Sequence, residues 1–148
     1  MCARAIGRVL PAPVRLMPPN RWNLRNPWNP QSSGWGTPDN VYSLGLFRLE
    51  PDEALVIEGR SPRCTYWGAQ VWNRYMQSLD YRYHRVSLNH TEIALEPDGS
   101  FRLVVAHRDP HMPNWIETAG HREGVVFCRW LQAESMPEQP ASRVIALR

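Results

Sequence analysis

Short runs of β-branched and aromatic residues, separated by turn-forming residues, leave no room for a long helix in most of this chain. The clearest case is the run "TEIALE", the turn "PDGS" and the run "FRLVVAH" at residues 91–107, where the largest apolar side chains recur at every second position. Alternation with a period of two is typical of a half-buried strand, and Asp98-Gly99 supplies the positive φ that a tight turn needs. Similar runs across the chain predict about seven or eight strands. The predicted fold class is therefore all-β, an antiparallel jelly-roll-like β-sandwich.

The first 40 residues differ from the rest of the chain. They hold seven prolines and three tryptophans, and residues 1–38 carry five arginines and no acidic residue. Proline at this density excludes a long helix or a central strand. We predict that residues 1–40 form an extended, proline-rich basic arm packed on the domain, and that residues 41–148 form the β-sandwich domain.

Charge and cysteine content narrow the function classes. All 17 basic residues are arginine, which excludes a lysine Schiff base. Cys2, Cys64 and Cys128 are too few and too widely spaced for a disulfide framework or a zinc pattern, so a cytoplasmic location is predicted. No apolar run reaches the roughly 18–20 residues of a membrane span. Nucleic acid is not a predicted partner, because no basic cluster is interleaved with aromatic residues in a recognised binding motif.

Polar and titratable residues are concentrated in "HRDPHMPNWIETAGHREG", residues 107–124. Strand alternation places His107 at the end of an inward-facing apolar row that begins at Phe101, where a sandwich opens to its rim. A chain that leaves and re-enters the sheet at one rim would bring His121 close to His107. We predict His107, Asp109 and His121 as candidate catalytic residues, with Asp109 orienting one of the two imidazole rings.

Aromatic rings and side-chain amides are the second group of candidates, because flat rings with amides recognise sugars and flat or apolar small molecules. The rim pocket predicted around residues 107–124 would have Trp115 as its floor. The predicted ligand-binding residues are Trp67, Gln70, Asn73, Asn89, Asn114, Trp115 and Arg122. Several of them also have a structural interpretation: the tryptophans as core rings, and Asn89 and Asn114 as turn residues.

A metal site is an open alternative. His107, Asp109 and His111 have the spacing H-x-D-x-H, and His121 follows ten residues later. Imidazoles with a carboxylate suit zinc or non-haem iron. Pro110 and nearby Pro113 interrupt the strand that would hold such ligands on one face, so no metal or other cofactor is assigned.

Residues 34–131 resemble the domain of unknown function 1214 family. The resemblance rests on "GWGTPDNVYSLG", "YWGAQVWNRYMQSLDY", "VSLNHTEIALEPDGSFRLVVAHRDP" and "PNWIETAGHREGVVFCRW". It implies a jelly-roll-like sandwich that usually forms the C-terminal part of a longer protein, and it brings no established reaction.

The predicted function is recognition of a small molecule, sugar-like or flat and apolar, in the rim pocket. One alternative is an acid–base or metal-dependent enzyme of the lyase, hydrolase or hydratase type that uses His107, Asp109 and His121. A second alternative is a non-catalytic accessory domain that needs a partner domain, a partner subunit or a second copy of itself.

Overall fold

The computed structural model describes the backbone of residues 21–25 and all of residues 39–147. These residues form nine strands and no helix: β1 (Arg21–Arg25), β2 (Asn40–Arg48), β3 (Glu53–Gly59), β4 (Tyr66–Asn73), β5 (Ser87–Asn89), β6 (Phe101–Ala106), β7 (Trp115–Glu117), β8 (Glu123–Leu131) and β9 (Ala141–Ala146). The all-β prediction is confirmed. Nothing long and apolar enough to cross a membrane as a helix occurs in the described residues.

The strands form two sheets. Sheet I has five strands in the order β1-β2-β8-β4-β5, and sheet II has four in the order β7-β6-β3-β9. Chain connections pass repeatedly from one sheet to the other, and inward-facing residues from both sheets form one apolar cluster. Two sheets that share one core are compatible with the predicted sandwich.

The core begins with the alternation that the sequence shows. Phe101, Leu103 and Val105 point between the sheets and are buried, as predicted. Trp67 of β4 packs on Phe101 with ring centroids 4.8 Å apart, and it stacks on Trp130 of β8 at 6.4 Å. Buried aromatic pairs of this kind contribute about 0.5–1.5 kcal/mol beyond their apolar area.

One strand pair contradicts the expectation of a purely antiparallel sandwich. β7 pairs with β6 in parallel, with Val104 opposite Trp115. The reason is that residues 107–114 run back along the outer side of β6 before β7 begins. Their return buries Val104 and Ala106 in a second, smaller cluster with partly buried Met112 and Trp115. The C-terminal half of β6 is therefore buried on both faces, although Arg102 near its start is exposed. The recurrence of large apolar residues at every second position of β6 did not indicate this.

The hairpin predicted at residues 91–107 forms only in part. Its turn is present: Gly99 has φ +79°, and the Glu96 N–H donates to the Ser100 carbonyl at 2.8 Å. Its first arm is not a strand, and Leu95 in that arm is 56% exposed. β6 pairs instead with β3 and β7. In the first arm, the main-chain N–H and carbonyl of Ala94 form hydrogen bonds with the side chain of Asn114, a residue of the 107–114 return.

The predicted arm lies mostly outside the described residues. Residues 21–25 pair as an edge strand with β2, in a register that sets Arg25 opposite Tyr42. Residues 1–20 and 26–38 are outside the description, so the arm's packing and the domain boundary at residue 40 stay predictions.

The burial of Cys128 generates a prediction about thiol reactivity. Burial in the core raises the pKa of Cys128 to about 12, because the thiolate would lose its hydration. At about pH 8 a thiol of that pKa is ionised in about one molecule in ten thousand, and the thiolate is the reactive form. We expect iodoacetamide to label partly buried Cys64 in the folded protein and to label Cys128 at least about a hundredfold more slowly. Peptide mapping by mass spectrometry measures both rates, and labelling in guanidinium is the control. Equal rates in the folded protein would contradict the burial of Cys128.

Candidate functional site

His107 joins three segments of the chain at the end of β6. Its Nδ1 lies 2.7 Å from the Thr118 hydroxyl, and its Nε2 lies 3.2 Å from the Leu49 carbonyl oxygen. A carbonyl only accepts, so Nε2 carries the proton, and Nδ1 accepts the hydroxyl proton of buried Thr118. Both ring nitrogens are therefore used by the fold. The predicted position at the end of the β6 row is confirmed, but the ring is committed to Leu49 and Thr118.

Asn114 is a structural residue by the same test. It is 7% exposed and adopts a left-handed backbone at φ 56°, a conformation that asparagine tolerates better than most residues. Its Oδ1 accepts the Ala94 N–H at 2.8 Å, and its Nδ2 donates to the carbonyls of Ala94 and Arg102 at 2.7 and 2.9 Å. The amide thus binds the main chain at Ala94, just before the short bridge between Leu95 and Phe101.

The two predicted tryptophans lie on different sides of the sheets. Trp67 is in the core between them, so it does not face a ligand pocket. Trp115 packs on the outer side of sheet II and donates its indole N–H to the Ala106 carbonyl at 3.3 Å. Trp115 is therefore not the floor of a pocket shared by His107 and His121. The prediction failed because the 107–114 return carries Trp115 to the outer side of β6.

The predicted catalytic and metal residues do not assemble. Asp109 accepts the backbone N–H of His111 at 2.7 Å, which closes a local turn. His121 lines a pocket to which neither His107 nor Asp109 contributes. Within residues 39–147, no group of three or more His, Cys, Asp or Glu side chains is placed to hold a metal ion. His107, Asp109 and His121 are thus not brought together in this pocket, and the first two make hydrogen bonds within the fold.

Arg122 lies beside the turn between β2 and β3. Its guanidinium pairs with Glu50, and its carbonyl accepts the Leu49 N–H at 2.9 Å. The pair is exposed, so its contribution to stability is small. Arg122 does not line the pocket to which His121 contributes.

A rim pocket of about 450 Å³ forms where β4 ends and the 118–121 turn approaches it. Two predicted residues, Asn73 and His121, lie in its lining, together with groups that sequence reasoning did not select. The full lining is Asn73, Gln77, Ser78, Leu79, Asp80, His84, Ala119 and His121.

The walls of the rim pocket are held by local turns. Asn73 accepts the backbone N–H groups of Tyr75 and Gln77 at 2.9 and 3.0 Å, so it shapes the wall. On the opposite wall, Ala119 has a left-handed backbone at φ 48°. A non-glycine residue in this region costs of order 1–3 kcal/mol, and such strain concentrates at functional sites. The His121 N–H donates to the Thr118 carbonyl at 3.0 Å and closes this turn, and both Ala119 and His121 line the pocket.

His84 is the best-placed titratable group in the rim pocket. Its Nδ1 lies 3.0 Å from the Glu117 carboxylate, which is largely shielded on β7. The backbone N–H of Glu117 in turn donates to the Arg85 carbonyl at 2.8 Å, which fixes the two segments together. A carboxylate on Nδ1 holds the proton there and leaves Nε2 to a ligand. Neither residue was selected from the sequence, because they are 33 positions apart and only the fold brings them together.

A second pocket of about 210 Å³ lies on the outer face of sheet I. Gln70 and Asn89, both predicted ligand-binding residues, line it. The predicted binding residues are thus spread over separate places. Asn73 lies at the rim and Gln70 and Asn89 on the sheet face, while Asn114 lines a third pocket of about 110 Å³.

Comparisons with known proteins support the fold and add no activity. No protein-family model matches the chain, and no curated protein matches it. The crystal structure of an uncharacterised protein from Burkholderia cenocepacia is similar, with a TM-score of 0.77 and 35% identity over 85% of this chain. The VPA0106 protein from Vibrio parahaemolyticus has the same fold, with a TM-score of 0.58 and 14% identity over 75% of this chain. This chain spans 35% and 32% of those two proteins, about a third of each.

The hydrogen bonds of Asn114 give a stability prediction. Asn114→Ala leaves the Ala94 and Arg102 main-chain groups without partners and should lower the free energy of unfolding by about 2–4 kcal/mol. Asn114→Gly removes the cost of a left-handed alanine, about 1 kcal/mol, but restores no hydrogen bond. Urea denaturation measures both variants. If Asn114→Gly were as stable as the natural protein, the backbone conformation alone would explain the asparagine.

The His107–Thr118 contact gives a second stability prediction. His107→Gln and Thr118→Val should each lower the free energy of unfolding by about 1–3 kcal/mol, because each leaves a buried partner unsatisfied. In the double variant the losses should be less than additive by about 0.5–1.5 kcal/mol. His111→Gln, at an exposed position, is the control and should change stability by less than about 0.5 kcal/mol. Additive losses in the double-mutant cycle would show that the two side chains are not coupled.

Proposed function

We propose that this domain recognises a small polar molecule in the rim pocket between β4 and the 118–121 turn. The observation that supports this most directly is the convergence of His84, His121 and Asp80 on one cavity of about 450 Å³. Imidazoles that face an open cavity on fixed backbone are groups for binding a ligand. The apolar part of the lining is small, limited to Leu79 and Ala119 among side chains, so a sugar-like or other polar ligand fits better than a flat apolar one.

An acid–base enzyme is the second candidate, and the His84–Glu117 pair favours it. A carboxylate that holds Nδ1–H leaves Nε2 as the atom that takes a proton from a bound molecule. In this proposal His84 takes the role that the sequence suggested for His107, and His121 keeps its predicted role. Turnover of a bound molecule, lost in Glu117→Gln while binding is kept, would favour the enzyme over the binding domain.

An accessory role is the third candidate, supported by length and surface. The similar solved proteins are about three times as long as the matched part of this chain, so there the domain belongs to a larger polypeptide. Tyr75, Tyr81 and Tyr83 lie within two chain positions of residues that line the rim pocket and are 62–78% exposed, and tyrosine is enriched at interfaces. A partner domain, a partner subunit or a second copy of this chain would cover them.

We also propose that the chain belongs to the domain of unknown function 1214 family and that its strands follow a jelly-roll-like path. The quoted sequence blocks and the repeated passage between two sheets support this assignment. The free thiols of Cys64 and Cys128 support the proposed cytoplasmic location.

If a ligand binds in the rim pocket, the amide signals of the residues around that pocket should shift. Neutral sugars, small carboxylic acids and amino acids, screened by ¹H–¹⁵N spectra, should include a probe that shifts the amides of residues 77–84 and 119–121. For that probe His84→Gln and His121→Gln should each weaken binding by at least about tenfold, because each removes an imidazole from the lining. His111→Gln, the same change at an exposed position outside the pocket, should leave the affinity unchanged. A set of probes that shifts other residues only, or an affinity that both variants keep, would contradict the proposal.

A further inference from the structure

The sheet-face pocket is built around a missing side chain. On the outer face of sheet I, Gly68 of β4 stands opposite Arg129 of β8 and Asn89 of β5. Tyr66 and Gln70 precede and follow it on the same face, because strand side chains alternate. A glycine surrounded by four large polar residues leaves a depression with functional groups on every side.

The floor of this depression requires glycine. A Cβ at residue 68 would lie 2.8 Å from the Leu88 carbonyl oxygen and 2.8 Å from the Tyr66 hydroxyl. The phenol oxygen of Tyr66 therefore lies over the floor rather than away from it. Phe127 provides an apolar wall, and that wall is rigid because Phe127 stacks on Trp72 with centroids 4.4 Å apart and contacts Tyr42 at 5.4 Å.

Arg129 provides the positive charge of the pocket. Its guanidinium lies over the Tyr66 ring, 5.4 Å from the centroid, and this contact restricts the orientation of the side chain. None of the carboxylates in residues 39–147 forms an ion pair with it, whereas Arg48 and Arg74 on the same side of the sheet both pair with Glu123. A guanidinium that is held in place and forms no ion pair within residues 39–147 is suited to a carboxylate, which it binds through two parallel N–H groups.

Neutral and acidic groups complete the lining. The Tyr66 hydroxyl, the Gln70 amide and the Ser87 hydroxyl make no hydrogen bond with the residues that the structure describes, so all three are open to a ligand. Glu92 faces the same pocket and uses one carboxylate oxygen to accept the Asn89 N–H at 2.9 Å. Its negative charge disfavours a doubly charged anion, while its other oxygen accepts a hydroxyl.

We propose that the sheet-face pocket is a second ligand site, separate from the rim pocket, and that it binds a small monocarboxylate bearing several hydroxyl groups, of the sugar-acid class. Arg129 binds the carboxylate. Tyr66, Gln70 and Ser87 bind the hydroxyls, and the ring of Phe127 packs on the carbon skeleton. Two different groups thus select the ligand: Arg129 requires a negative charge, and Glu92 limits that charge to one.

The test uses three probes in ¹H–¹⁵N titrations of the full chain. D-Glucuronate carries the carboxylate and the hydroxyls, D-glucose carries the hydroxyls alone, and inorganic phosphate in mildly alkaline buffer is mostly a dianion. We expect D-glucuronate to shift the amides of residues 66–70, 87–89 and 127–129, D-glucose to bind at least about tenfold more weakly, and phosphate to leave them unchanged. Phosphate binding as tight as that of D-glucuronate, or equal binding of D-glucose, would overturn the assignment of ligand class.

Matched variants locate the site. Arg129→Met should weaken D-glucuronate binding by at least about tenfold, and Gln70→Ala should weaken it by about threefold. Arg48→Met, at an outward-facing arginine outside the pocket, is the control and should leave the affinity unchanged. His121→Gln should also leave it unchanged, which distinguishes this site from the rim pocket. Full affinity in folded Arg129→Met and Gln70→Ala, or no shift with D-glucuronate in the natural protein, would overturn the proposal.

Discussion

The return of residues 107–114 across the outer face of β6 covers sheet II, adds β7 to it and holds the segment around Ala94. The C-terminal half of β6 is apolar on both faces and needs a cover on each side, and within residues 39–147 sheet II has no other layer outside it. The return supplies that cover with Met112 and Trp115 and then adds β7 in parallel to β6. It also carries Asn114 to the unpaired main chain of Ala94. Polar residues of this segment therefore form hydrogen bonds that stabilise the fold. These are His107, Asp109 and Asn114.

The spacing of apolar and turn-forming residues predicted the strands well where the burial of a side chain follows from its position along its own strand. The inward row from Phe101 to Val105 and the turn at Gly99 followed from alternation and from positive φ. Pairing was less predictable, because it depends on which distant segment satisfies a backbone group. "TEIALE" alternates like a strand, yet an asparagine side chain 20 residues away takes the hydrogen bonds of Ala94. The spacing of apolar residues does not show that a distant side chain, rather than a neighbouring strand, forms these hydrogen bonds.

The candidate site shows the same division. His107 was placed correctly at the rim, but the sequence did not show that Leu49 and Thr118 would occupy both ring nitrogens. His84 is a candidate because its Nδ1 contacts the Glu117 carboxylate, and the parallel pairing of β7 with β6 positions Glu117 for this contact. Selection by residue type found Gln70, Asn73, Asn89 and His121, whose surroundings form pockets. It also selected Trp67, whose ring the core required.

The lengths of the outer strands have a consequence for association. β5 and β7, each of three residues, form one border of sheet I and of sheet II respectively. A border that short offers a foreign strand too few main-chain donors and acceptors to hold it, so growth of either sheet by strand addition is discouraged there. Runs of β-branched and aromatic residues favour pairing between molecules. The short edge strands β5 and β7 oppose such pairing at their borders.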